Sequence, residues 1–170
     1  MRKKSEPQTA SDMSADGRFL DEYLPYWLAQ ASYWISSEFH REVAMAGLTV
    51  AEWRVLASLH GSSGETIGTL CRLALLKQPT LSKLVQRLEA ENLVARHDTE
   101  GDRRQTIVTS TPKGRARIAM LVDRARLHQR EVLRPFGIAN SKNLLLALQD
   151  LVRQHERTGL FGFVPPPSDR

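Results

Sequence analysis

Apolar positions recur with helical spacing along most of this chain, and one stretch breaks the rhythm. From Phe19 to Ala46 the residues Trp27, Ala31, Trp34, Ile35, Phe39 and Val43 follow that spacing and predict a long helix. Pro25 belongs in its first turn or at the end of a short turn before it, because proline lacks the amide that interior helix positions donate. Gly47 ends the helix. Thr49 and Glu52 then have the spacing of a capping box, and Leu48 and Trp53 occupy the two positions of a hydrophobic staple. Val55, Leu56 and Leu59 form the apolar face of this second helix, which stops at Gly61-Ser62-Ser63-Gly64.

Thr66 is placed to cap a short third helix carrying Ile67, Leu70 and Cys71. Leu75 to Gln78 reads as a tight turn, and Pro79 suits the first position of a fourth helix. Leu81, Leu84, Val85 and Leu88 follow at i, i+3, i+4 and i+7, a single helical stripe. The opposite face, Thr80, Ser82, Lys83, Gln86 and Arg87, is polar and holds no acid before Glu89.

After Asn92 the helical rhythm gives way. Leu93 to His97 is short and strand-like, Asp98 to Asp102 is turn chemistry, and Thr106 to Thr109 is β-branched throughout. The expectation is a two-stranded hairpin with Arg103 and Arg104 just past its tip. Thr111 and Pro112 start another helix to about Leu133, with Ile118, Leu121, Val122, Ala125 and Val132 on one side. Pro135 and Gly137 end it, and Asn140 or Ser141 caps a last helix holding Leu144, Leu145, Leu148, Leu151 and Val152. The fold class is mainly α with a small β-hairpin wing.

Composition narrows the function. Of 170 residues, 41% are hydrophobic, enough for a core, and 25% are charged. No apolar run reaches the roughly 20 residues of a membrane helix, and the polar segment 1–17 reads as a disordered tail, so a cytoplasmic protein is expected without a membrane partner. The formal net charge of +5 is unevenly spread: residues 1–76 hold seven basic and nine acidic groups, residues 77–117 nine and five. The basic excess thus begins at Lys77. The lone Cys71 cannot form an internal disulfide and reads as a small core hydrophobe before a redox sensor. His40, His60, His97, His128 and His155 are scattered, so no metal site and no cofactor are expected. No phosphate loop, nucleophile elbow or paired-acid constellation points to an enzyme.

Helix, turn, helix, hairpin is the order of a winged helix-turn-helix. A recognition helix needs an apolar face to anchor it and a polar, basic face to reach base edges in the major groove. The candidate DNA contacts are therefore Lys77, Gln78, Thr80, Ser82, Lys83, Gln86 and Arg87. Arg103 and Arg104 suit the wing, since the minor groove is narrow and electronegative. The competing reading is a winged-helix module for protein or RNA interaction, against which Lys83 and Arg87 argue.

From about Tyr23 to Gln154 the chain resembles the MarR family of transcriptional regulators. The specific part runs from Leu93-Val94-Ala95-Arg96 through Asp102-Arg103-Arg104 to Thr111-Pro112-Lys113-Gly114, matching that family's Asp-Arg-Arg wing, strand and Leu-Thr-x-x-Gly. Glu52 to Leu56 is similar to the family's second helix. Ser110 departs from the pattern, which usually has leucine there. The resemblance implies a winged module over 47–111 and dimerisation helices over 18–46 and 112–158, flanked by the polar tail at 1–17 and a terminal arm at 159–170 read from the sequence itself. It implies a homodimer on a pseudo-palindromic double-stranded operator, with Arg104 in the minor groove and Asp102 orienting a wing arginine. Members often act as repressors released by small aromatic acids, phenolic compounds or their coenzyme A thioesters. The candidate ligand-binding residues here are Tyr23, Trp27, Gln30 and Trp34 of the first helix with Trp53, Arg54 and His60 of the second. Aromatics at this spacing more often belong to a core, and Arg54 would more often form an internal ion pair.

Overall fold

The computed structural model describes residues 18–99 and 102–158, with the side chains of 98, 99, 102–105, 157 and 158 outside that description. The expected tail at 1–17, the arm at 159–170 with Phe161 and Phe163, and the hairpin tip at 100–101 lie outside the described residues. The chain divides into two compact units at Ser37.

In the first unit, the expected single helix is two: α1 (Phe19–Glu22) and the start of α2 (Leu24–Met45), separated by Tyr23 in an extended conformation. Pro25 explains the break. It has no amide to donate to the carbonyl of Asp21, and that oxygen accepts the indole N–H of Trp27 at 3.0 Å instead. Phe19 stacks on Tyr23 at 4.8 Å.

In the second unit, the end of α2 buries Phe39 and Val43. Three helices in turn are closed by the same device, an amide reaching back five residues: Leu48 to Val43 O, Leu76 to Cys71 O and Leu93 to Leu88 O. These closures end α2, α4 (Ile67–Ala74) and α5 (Gln78–Ala90), and α3 (Val50–Ser58) lies between the first two. The Thr49–Glu52 capping box forms as its spacing predicts, and Thr66 caps α4 by accepting from the Thr69 amide. Pro79 occupies the second position of α5, one residue later than expected.

The hairpin consists of β2 (Val94–Thr99) and β3 (Asp102–Ser110), so both strands run further toward the tip than expected. A third strand, β1 (Glu65–Thr66), corrects the two-stranded expectation: the sheet is antiparallel in the order β1-β3-β2. Gly64 admits this strand, for a Cβ there would lie 2.7 Å from Ile107 Cγ2. The helix α6 (Pro112–Leu133) is capped by Thr111 and has the expected span. A 3₁₀ turn, Arg134–Phe136, leads into α7 (Gly137–Thr158). That helix starts earlier than expected, and Ser141 is inside it, not its cap; its hydroxyl donates to Gly137 O and Leu133 O.

The core of this unit joins Val55 and Leu56 of α3 with Leu59 just after it, Leu70 and Ala74 of α4, the whole stripe of α5, Val94 and Val108 of the sheet, and Ile118 and Leu121 of α6. At roughly 1.5–3 kcal/mol for each such side chain, this cluster holds the helix-turn-helix and its sheet as one body.

Candidate nucleic-acid interface

Leu81, Leu84, Val85 and Leu88 are all buried, which fixes the rotation of α5 about its axis. The polar face must then point outward. Gln78, Thr80, Lys83, Gln86 and Arg87 are exposed, as is Lys77 before the helix, while Ser82 is half-buried. Two grooves flank this face. One of about 550 Å³ is lined by Thr66, Gln78, Ser82, Gln86, Arg96 and Thr106, between the helix and the sheet. The other, about 350 Å³, is lined by Ala51, Pro79, Thr80, Lys83, Leu84 and Arg87.

The helix is gripped at its far end. Lys113 Nζ donates to Glu91 O at 2.8 Å, and the Thr111 hydroxyl donates to Asn92 O at 2.7 Å. Arg96 on β2 pairs with Glu89 on α5 at 2.6 Å, tying the sheet to the helix. The hydrogen bonds and charge of Arg96 hold the half-buried Glu89 carboxyl below its ordinary range, against burial, which pushes it up.

Arg87 is not a simple outward cation. Its Nη2 donates to Glu52 Oε1 at 2.8 Å, while Glu52 Oε2 accepts both the amide and the hydroxyl of Thr49. Burial pushes the Glu52 carboxyl up, but the Thr49 hydrogen bonds and Arg87 outweigh it and hold it below its usual value. Sequence reading missed this pair because its partners stand 35 residues apart.

At the wing, Asp98 pairs with Thr106 and the next residue, Thr99, pairs with Asp102. One step on β2 is therefore matched by four on β3, and Arg103, Arg104 and Gln105 form a bulge. The side chains of Asp102, Arg103 and Arg104 lie outside the described residues.

The expected ligand residues fall in two groups. Tyr23, Trp27, Gln30 and Trp34 belong to the first unit, where the three aromatics are exposed and Gln30 is half-buried. In the second unit Trp53 packs against Phe39 at 5.2 Å, Arg54 is half-buried and His60 is exposed. Burial first, and the charge of Arg54 second, lower the pKa of His40. A cavity of about 300 Å³ lies elsewhere in that unit, lined by Glu38, Phe39, Arg41, Glu42, Arg124, Leu127 and His128. No spacing signal could have found it, since its residues come from two helices about 85 positions apart. Cys71 is half-buried against the core and burial pushes its thiol up, which disfavours the reactive thiolate.

Comparisons with known proteins agree on one family. A sequence model described as the MarR family matches residues 46–105. The transcriptional activatory protein BadR of Rhodopseudomonas palustris is 29% identical over 158 residues, 90% of each chain. The crystal structure of the MarR family regulator SPO1453 from Silicibacter pomeroyi superposes with a TM-score of 0.69 at 34% identity, over 80% of this chain and 99% of that one. The transcriptional repressor CouR, solved on a 23-mer DNA duplex, has a TM-score of 0.66 at 28% identity, covering 78% of this chain and 94% of that one.

Proposed function

The chain belongs to the MarR family of winged helix-turn-helix transcriptional regulators, and from that premise we propose that it works as a homodimer on pseudo-palindromic duplex DNA and is released from it by a small aryl acid, a phenol or a coenzyme A thioester of one. One observation carries the DNA reading. The outward face of α5 presents Thr80, Lys83, Gln86 and Arg87 to solvent while its other face is locked into the core. CouR, of similar fold, is held on duplex DNA in its solved structure. A dimer would set two such helices roughly 34–36 Å apart, one turn of the double helix. Gln86 and Lys83 are the base-reading candidates, Lys77 and Gln78 lie toward the flanking phosphates, and Arg104 on the bulged strand enters the minor groove.

Dimerisation is supported by the apolar residues that α7 leaves exposed, among them Leu144, Leu145, Leu148 and Val152. The effector reading draws on chemistry. A guanidinium pairs bidentately with a carboxylate, and this chain offers Arg54 beside Trp53, and Arg41 and Arg124 around the cavity at Phe39 and His128. To release DNA the effector must bind better to a dimer whose recognition helices no longer fit successive major grooves. The test is to select duplexes from a random pool, then titrate benzoate, phenol and benzoyl-coenzyme A into the complex. Selection of a symmetric site and its release by one of these compounds is the expected result. Failure to enrich any duplex would overturn the DNA reading, and enrichment without release would overturn the effector reading alone.

A further inference from the structure

The recognition helix carries a cation that is already paired. Arg87 sits on the same outward face as Thr80 and Lys83, and the three line one groove. Its side chain is 55% exposed, yet its guanidinium is held at 2.8 Å by Glu52, whose side chain is only 11% exposed. Glu52 cannot follow Arg87 outward, because its second oxygen is fixed by the amide and hydroxyl of Thr49 at 2.7 and 2.8 Å. The acid therefore restrains the arginine.

We propose that Glu52 is a specificity-determining positioning residue: by holding Arg87 it withholds one cation from indiscriminate phosphate contact and presents the remaining N–H groups of Arg87 in a single orientation on the DNA-facing side. Two effects follow from elementary electrostatics. A free arginine on this face would neutralise a phosphate of any sequence, which raises affinity without information. A tethered guanidinium keeps a fixed fork geometry, so only DNA that meets it in register gains the contact. Glu52 itself touches no DNA in this account; it acts through Arg87. The proposal rests on the DNA-binding reading above.

The direction of the expected change separates this role from a structural one. Losing the acid as mere support for α3 would weaken binding to every duplex. Losing it as a restraint should strengthen binding to the wrong ones. The experiment compares wild type, Glu52→Gln, Arg87→Met, the double variant and Thr49→Ala on two probes, a duplex selected from a random pool and a random-sequence duplex, across a salt series. Glu52→Gln should bind the random duplex about 3–10-fold more tightly at low salt, with a salt slope steeper by about 0.9, the value of one phosphate contact. Its preference for the selected duplex should narrow by about tenfold, in keeping with the loss of one oriented contact. Arg87→Met should abolish the effect of Glu52→Gln. Thr49→Ala, which removes the hydroxyl cap but leaves the acid and the backbone amide that holds its second oxygen, should lower thermal stability and leave the salt slope unchanged. If Glu52→Gln stays folded and weakens both probes alike with an unchanged slope, Glu52 is structural and the proposal falls. If wild type selects no duplex, the DNA-binding reading falls first and takes this one with it.

Discussion

A Cβ placed on Gly114 would lie 1.9 Å from the carbonyl oxygen of Leu93. The first turn of α6 runs that close to the start of β2 because Thr111 ties them together: its amide donates to Leu93 O at 3.1 Å, and its hydroxyl accepts from the Gly114 amide. The Thr-Pro-Lys-Gly segment is thus a junction where helix, sheet and the end of the recognition helix meet, and only glycine fits its fourth place. Gly114→Ala should destabilise the fold by about 3 kcal/mol or more, as backbone-level overpacking does at its upper range. Urea denaturation checks this; a loss below 1 kcal/mol would mean the junction is not tight.

Two neighbours on α5 should behave very differently. Leu88 is fully buried, so Leu88→Ala should cost about 2–5 kcal/mol. Glu89 forms a partly exposed ion pair with Arg96, so Glu89→Gln should cost under about 1 kcal/mol. Comparable losses from the two variants in chemical denaturation would contradict the placement of the apolar stripe.

Much of this architecture is legible in the sequence. The capping box at Thr49, the stripe from Leu81 to Leu88 and the Thr111 cap are local signals, set by side chains within a turn of one another. What the sequence hides is non-local. The strand at Glu65 and Thr66 has no periodicity of its own and exists only by pairing with Ile107 and Val108. The Glu52–Arg87 pair joins two helices, and Arg41 and Arg124 come to line one cavity through packing alone. Ser141 misled for a different reason: a serine that can cap a helix can also bond backward to carbonyls inside one.

Exposed leucines on α7 call for a partner. The protein should be a dimer at micromolar concentration, with an interface above the standard size of about 1,600 Å². Leu148→Glu should shift it toward monomer and, by uncoupling the two recognition helices, weaken binding to a symmetric site. Light scattering that finds the wild type monomeric would refute the assembly.

His40 supplies a pH dependence of definite sign. Burial and the charge of Arg54 lower its folded pKa below the ordinary 6.5. The unfolded chain therefore takes up this proton at higher pH than the folded one does, and stability falls as pH drops below neutrality through the lowered pKa. Thermal melts between pH 7 and pH 5 should show a shallower loss for His40→Gln than for wild type. Parallel curves would mean that His40 titrates alike in both states.

The division of labour between α5 and the wing is best tested by binding curves on the selected duplex and its single-base variants at several salt concentrations. Gln86→Ala or Lys83→Ala should cost about 1–3 kcal/mol for a lost base contact and relax specificity at one symmetric pair of positions. Arg104→Ala should weaken binding to most sites and lower the salt slope by about one phosphate's worth, while the major-groove consensus stays in place. If Arg104→Ala changes the core consensus without changing the salt slope, and Gln86→Ala and Lys83→Ala leave specificity untouched, then α5 does not read the bases and the account is wrong.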